Sequence, residues 1–314
     1  MAVCLLAVAL VVASSPEAGP GPPWQAAQGA GIERSEVGAA RIGDSIYVVG
    51  GYRAPNGSIT GALERYDSGS DTWEQLRSLP IAVNHPAVTA AGGRLYLNGG
   101  FRGHGQRPTD RLYRYNPGGN RWKRLPDSPV ARAAHALQAI GGKLYAAGGS
   151  DGDNARVRKL AIYDISSRRW NRGPSMKVGR NHVASAVLER KLYVIGGRPG
   201  AVQGNRRTVE RYNPRARRWR RLASLDTATS GAAAAAVHGK VVVFGGEKLD
   251  GSGETIPATQ SFQPGTGTWT SLPDMLTPRH GLGGASIGSR VFALAGGPLA
   301  GLHFSSANEY LTLP

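Results

Sequence analysis

Cysteine is nearly absent: Cys4 is the single one in 314 residues. No internal disulfide can staple the chain, and no cysteine set is available for a structural zinc. Long apolar runs are missing too. Ala2–Ala13 is an unbroken apolar run of 12 residues, too short to cross a bilayer as a helix. No integral membrane span is expected. Acidic residues are scarce, 21 against 38 Lys plus Arg, giving a net charge of +17 carried mostly by arginine. That balance suits an anionic partner, but a solvated, arginine-rich surface is the plainer reading, and nucleic acid is not expected. The sequence contains no HExxH, phosphate-binding loop, nucleophile elbow or paired cysteines, which removes the enzyme classes built on those motifs.

Residues 1–15 read as a secretory signal peptide. The apolar run is followed by small residues at Val11-Val12-Ala13 and Ala13-Ser14-Ser15, which suit cleavage. No Lys or Arg precedes the run, so an N-terminal anchor is the alternative. Residues 16–23, rich in Pro and Gly, read as a linker. A secreted, periplasmic or cell-surface location is expected, with a mature chain free of cysteine.

The remainder, 24–314, is organised by repetition. A short apolar run ends in Gly-Gly at Gly50, Gly99, Gly148, Gly196, Gly245 and Gly296, at intervals of 49, 49, 48, 49 and 51 residues. A tryptophan follows at Trp73, Trp122, Trp170, Trp219 and Trp269. Seven residues before each stands an aromatic: Tyr66, Tyr115, Tyr163, Tyr212 and Phe262. Length alone would suggest two domains, but units of this size cannot bury an apolar face alone and must stack into one body. Each unit reads as four short strands: a small-residue strand (Val37–Ile42), the run into Gly-Gly, a strand around the tyrosine (Leu63–Asp67) and one from the tryptophan (Trp73–Leu79). Clusters such as Ala91-Gly92-Gly93-Arg94 and Pro117-Gly118-Gly119-Asn120 supply the positive φ angles of tight hairpins. The last unit has Gly296-Gly297 and Tyr310 but no tryptophan after them. Trp24 lies 49 residues before Trp73, on the period, so Trp24–Gly29 is expected to supply the missing outer strand.

An apolar strand, Gly-Gly, then Tyr and Trp at these offsets resembles the Kelch motif from Trp24 to Pro314. The resemblance implies an all-β fold: a six-bladed Kelch β-propeller, four antiparallel strands per blade, closed by an N-terminal outer strand. A monomer is expected. The face where second strands end carries the longer loops, and loops on a rigid scaffold are where binding concentrates. In Kelch substrate adaptors the residue after Gly-Gly and those at the start of the first strand line the ligand pocket. Transferred by position, this gives Tyr52, Phe101, Arg198 and Glu247, then Arg34, Arg132, Arg180 and Arg279 with His85, His182 and His280. Val83 and Thr229 fill the arginine position in two repeats.

A channel mouth ringed with arginine would suit an acidic protein segment or an anionic glycan, since guanidinium forks match carboxylates. The alternative is that these arginines brace neighbouring blades through loop carbonyls. The three histidines come from different repeats and no carboxylate is placed with them by sequence, so neither a metal nor a cofactor is expected. Asp151–Asn154 and Asp250–Glu254 resemble fragments of calcium loops without a full ligand set and read as polar turns. The run 206–221, with eight arginines, reads as a solvated rim.

Two function classes follow. The first is an exported recognition module. The second is a sugar-active enzyme. Galactose oxidase shares Kelch blades, but its copper–radical site requires a Cys–Tyr crosslink that this sequence cannot form. Bacterial N-acetylneuraminate epimerase is similar in size and export, and by that resemblance Glu247 or Glu254 beside an arginine would act as acid and base. A ubiquitin-ligase adaptor would be expected to carry additional N-terminal domains. No acid/base pair stands out, so binding is the expectation and catalysis the alternative.

Overall fold

The computed structural model describes residues 23–103, 107–152, 157–200 and 204–314. The expected signal peptide, Cys4, the expected linker through residue 22, and Asp153 and Asn154 lie outside the described residues. The described residues form six four-stranded antiparallel sheets. In the first blade, Gly38–Ile42 is innermost, followed outward by Ser45–Val49, Leu63–Asp67 and Thr72–Leu76. The other inner strands are Ala87–Ala91, Ala136–Ile140, Ala184–Leu188, Ala233–Val237 and Gly283–Ile287. These touch in cyclic order, with the sixth returning to the first. The ring is closed.

Packing explains the composition of each strand. Six apolar clusters lie between adjacent blades, one per interface, so a second strand such as Ser45–Val49 is covered on both faces and reads as continuous hydrophobic sequence. Inner strands crowd at the axis. A Cβ on Gly283 would stand 2.6 Å from the Ala39 Cβ, and one on Gly284 2.7 Å from that of Ala233. No larger residue fits there.

Closure runs through the N-terminus as expected, on a shorter strand. Gln25–Ala27 pairs antiparallel with Asn308–Thr312, in the register Gln25 to Tyr310. Trp24 is buried, packs edge-on against Phe244 at 5.2 Å, and its indole donates to the Pro273 carbonyl at 3.1 Å. The other tryptophans do the same to the preceding blade: Trp73 to Gln28, Trp122 to Arg77, Trp170 to Pro126, Trp219 to Pro174 and Trp269 to Ala223. Trp24 is thus the sixth member of one set of bolts.

The last repeat is displaced by one residue from the sequence reading. Leu294 pairs with Gly283 as Val49 pairs with Gly38, so Ala295 and Gly296, not Gly296-Gly297, are the counterparts of Gly50-Gly51. Both positions require left-handed backbone: φ is 72° and 100° at Gly50 and Gly51, 54° and 101° at Ala295 and Gly296. Leu311, not Tyr310, takes the tyrosine position, pairing with Val291 as Tyr66 pairs with Ile46.

Candidate functional site

Each inner strand is entered through a short approach segment that bridges to the residue following the glycine pair: Ser35 to Tyr52, Asn84 to Phe101, Ala133 to Ser150, Asn181 to Arg198, Ser230 to Glu247 and His280 to Gly297. The residues next in sequence, Glu36, His85, Ala134, His182, Gly231 and Gly281, form a collar. Backbone hydrogen bonds link them around the axis: His85 N–H to the Glu36 carbonyl at 2.9 Å, Ala134 to His85 at 3.0 Å, His182 to Ala134 at 2.9 Å, Gly231 to His182 at 3.0 Å and Gly281 to Gly231 at 2.8 Å. Val37 closes the circuit onto Gly281 at 3.2 Å. All six collar residues have left-handed φ, from 51° to 67°.

The arginine position lies two residues earlier and points into the blade. Arg34, Arg132, Arg180 and Arg279 are completely buried and do not line the mouth. Each guanidinium donates to the carbonyl of the first glycine-pair residue, at Gly50, Gly148, Gly196 and Ala295. Three have a carboxylate 30 residues on: Arg34 with Glu64 at 2.6 Å, Arg180 with Glu210, and Arg279 with Glu309 at 2.8 Å. Arg132 has none, and burial alone pushes its guanidinium down to about 10. Where the arginine is missing, other groups take over its bonds. Thr229 Oγ1 donates to Gly245 at 2.9 Å, and the Asn98 amide donates to Asp110 and Arg111. The bracing alternative describes these residues.

The other sequence candidates, Tyr52, His85, Phe101, His182, Arg198, Glu247 and His280, come together around a cavity of about 320 Å³ on the face where second strands end. Glu36, Ser150, Asn181 and Leu302 complete its lining with Gly301. Tyr52 and Phe101 both stand edge-on to the His85 ring, at 6.1 and 5.6 Å between centroids. Sequence reasoning missed Glu36. The signal was present: stacking the repeats places Glu36 level with His85 and His182, two residues past the arginine position. His280, grouped with those two in the sequence, is not at the collar position but precedes the collar residue Gly281.

The ionisable groups form one network. Glu36 Oε2 is 2.9 Å from His85 Nε2, and Glu36 Oε1 is 3.1 Å from His280 Nδ1. His280 Nδ1 is 3.9 Å from Glu247 Oε2, and Glu247 is paired with Arg198. Arg198 donates to His182 Nε2 at 2.9 Å, which lies 3.0 Å from His85 Nε2. Burial pushes the Glu36 carboxyl up, but His85 and His280 outweigh it and hold it well below the usual range. Burial also lowers His280, and there the Glu36 and Glu247 carboxylates prevail and raise it. His182 is held well below its ordinary value by burial and by Arg198. It stays neutral. The cavity thus offers carboxylates, a neutral imidazole and a protonatable one within a few ångströms.

Glu254 is elsewhere, paired with Lys248 on the surface. On the opposite, hairpin face a cleft of about 980 Å³ between the third and fourth blades carries Lys143, Arg172, Arg190, Lys191, Arg215 and Arg217. Two of its lysines are neutralised, Lys143 by Asp164 at 3.4 Å and Lys191 by Glu189 at 2.9 Å. Its tyrosines, Tyr145 and Tyr212, are buried in the blades and leave no open ring on which a base could stack.

A family model, the KLHDC2/KLHL20/DRC7 Kelch-repeats domain, matches residues 36–246 and 84–297. Among solved structures, one titled "Structure of YjhT" superposes with a TM-score of 0.78 at 16% identity, covering 91% of this chain and 96% of that one. At that identity the likeness shows the fold alone. No curated protein matches the chain. Among the described residues no helix is long and apolar enough to cross a membrane.

Proposed function

The chain belongs to the Kelch-repeat family of β-propellers, and on that premise we propose that it is an exported recognition module binding a glycan end in the mouth cavity. The observation that carries this reading is the cavity floor. The collar side chains Glu36, His85 and His182 meet at the axis, with contacts of 2.9 and 3.0 Å, and lie between the mouth cavity and a smaller one of about 100 Å³. A cavity of about 320 Å³ is at the small end of ligand sites. It accommodates one sugar unit more readily than an extended protein segment. Its lining also matches a sugar's hydroxyls: Glu36 and Glu247 accept hydrogen bonds, Arg198 and His280 donate them, and Tyr52 and Phe101 supply apolar edges. An anionic substituent finds its counter-charge in Arg198 and His280. The N-terminal apolar run supports export.

One observation favours a second reading, a sugar-active enzyme of the sialic acid mutarotase type. His280, which is raised and protonatable, stands between the carboxylates Glu36 and Glu247 at 3.1 and 3.9 Å. Opening a sugar ring requires a base at the anomeric hydroxyl and an acid at the ring oxygen, and such a triad can supply both.

The test is a combined glycan and acidic-peptide array with wild type and Glu247→Gln. Glycan binding that drops at least tenfold in the variant is expected. Peptide hits without glycan hits, or equal glycan binding by both proteins, would overturn the recognition reading. A sialic acid mutarotation assay by NMR decides the enzymatic one.

A further inference from the structure

The three collar side chains that converge on the axis are, without exception, metal-ligand types. We propose that Glu36, His85 and His182 form a binding site for a divalent transition-metal ion of the zinc type at the floor of the mouth cavity. The proposal does not depend on the glycan reading.

The first argument is where the residues sit. The collar backbone is left-handed throughout, and two of its six positions are glycine, the residue that adopts this conformation freely. Glu36, His85 and His182 hold φ values of 55°, 51° and 51°. Long side chains are retained where glycine would be easier, and such residues concentrate at functional sites. Here they are a carboxylate and two imidazoles.

The second argument is how the rings are held. His85 Nδ1 lies 2.6 Å from Asn84 Oδ1, and His182 Nδ1 lies 2.8 Å from Asn181 Oδ1. An amide oxygen only accepts, so each Nδ1 carries a proton and each ring turns its other nitrogen, Nε2, toward the axis, where it can ligate. Fixing the tautomer from behind in this way is how metal-ligating histidines are oriented. The same device appears twice, from repeat-equivalent positions of the second and fourth blades.

Convergence is the third argument. The two Nε2 atoms are 3.0 Å apart, and Glu36 Oε2 is 2.9 Å from that of His85. All three ligand atoms lie within 4.8 Å of one another, the one such group among the described residues. Zinc–ligand distances of about 2.0–2.1 Å place tetrahedral ligands roughly 3.4 Å apart, so a few tenths of an ångström of ring rotation opens the site. Imidazole with carboxylate suits zinc and its neighbours in the first transition row. His280 secures the second Glu36 oxygen at 3.1 Å, and the cavity above leaves a fourth position open.

Arg198 is the competitor. Its guanidinium donates to His182 Nε2 at 2.9 Å while paired with Glu247, and so stands as the cation at the site. Metal entry requires it to release His182 and remain on Glu247. Removing Arg198 should therefore strengthen metal binding, an outcome no merely structural cluster gives.

The test uses the full chain, untagged and stripped with chelator, titrated with Zn²⁺ by calorimetry and with Co²⁺ by visible absorption. One ion per chain is expected, with a Co²⁺ spectrum of low coordination number. His85→Ala with His182→Ala should weaken binding at least 100-fold, and Arg198→Ala should tighten it about tenfold or more. His182→Gly, whose backbone suits the collar, provides a folded variant that must also lose binding. Absence of a one-to-one site in wild type, or binding that survives the double substitution, overturns the proposal. Glycan binding by metal-free protein leaves the two readings distinguishable.

Discussion

Arg180 and His182 are two residues apart, yet the blade interior and the collar treat polar side chains in opposite ways. Arg180 is completely buried and fully engaged, donating to Val178, Val194 and Gly196 carbonyls and paired with Glu210, which itself accepts from the Lys177 amide at 2.7 Å. Three of the four wall arginines have a carboxylate partner fixed by strand register, Arg34 with Glu64, Arg180 with Glu210 and Arg279 with Glu309. His182 instead faces another imidazole and a guanidinium across the axis, on a backbone better suited to glycine. The same half-turn of chain therefore builds a rigid wall outward and an incompletely satisfied cluster inward. A preorganised wall with strained, adaptable groups at its lip is what a binding site requires.

The sharpest way to break this contrast is to remove one partner from the wall. Glu210→Ala leaves the Arg180 charge buried without its carboxylate and should cost about 3–5 kcal/mol, read as a fall in urea midpoint. Arg132 provides the internal control, since it has no carboxylate to abandon. Arg132→Met removes a desolvated charge along with its bonds to Ala146, Gly148 and Lys159 and should cost less than about 2 kcal/mol. Equal losses would mean that the carboxylate is not what the wall depends on.

The two regions share one response to pH, an imidazole held neutral by burial and a nearby arginine, His135 in the wall and His182 in the collar, while His280 at the cavity is shifted the other way. His135, on the wall side, bonds Asn98 Oδ1 at 3.2 Å and is held well below its ordinary value by burial and by Arg132. It is neutral in the folded chain. Its contribution is therefore fully present above the unfolded value near 6.5 and is lost as pH falls below it, where the unfolded chain takes a proton that the folded chain refuses. The loss should approach about 1.4 kcal/mol per pH unit. Urea curves at pH 7 and pH 5.5 should show a larger loss in wild type than in His135→Gln, in which His182 still contributes its own. Parallel curves for the two proteins would remove His135 from the account.

Legibility in the sequence followed the same division. Gly-Gly, Tyr and Trp are visible because each answers a demand repeated in every blade, a left-handed pair or a bolt to the preceding carbonyl. The repeat period alone places Trp24 for that reason. The scheme slipped where a residue met the demand without the expected identity: Ala295 adopts the left-handed angle of a glycine, which moved the last repeat by one. The site was half legible. Positions after the glycine pair transferred well to the cavity, but the arginines were assigned to the mouth because sequence spacing does not say whether a side chain at a strand entry turns into the blade or toward the axis. Glu36 escaped because the blades share no residue type there. The collar repeats a backbone conformation, and its side chains are Glu, His, Ala, His, Gly and Gly.

That last point yields the smallest and most discriminating effect. If collar side chains serve ligands and not the fold, replacing one by the residue its backbone prefers should leave stability intact. His182 sits at φ 51°, beside glycines at 67° and 58° in the next two blades. Left-handed backbone costs an ordinary residue about 1–2 kcal/mol, and glycine gives back roughly 0.4–1 kcal/mol of this through the freer unfolded chain. His182→Gly should thus be neutral or stabilising by up to about 1 kcal/mol, as measured by urea unfolding, while losing the metal. Stability and binding then move in opposite directions, the pattern expected where function holds strain in place. A loss of more than about 2 kcal/mol would show that His182 braces the ring as Arg180 does, and the distinction between wall and collar would fail.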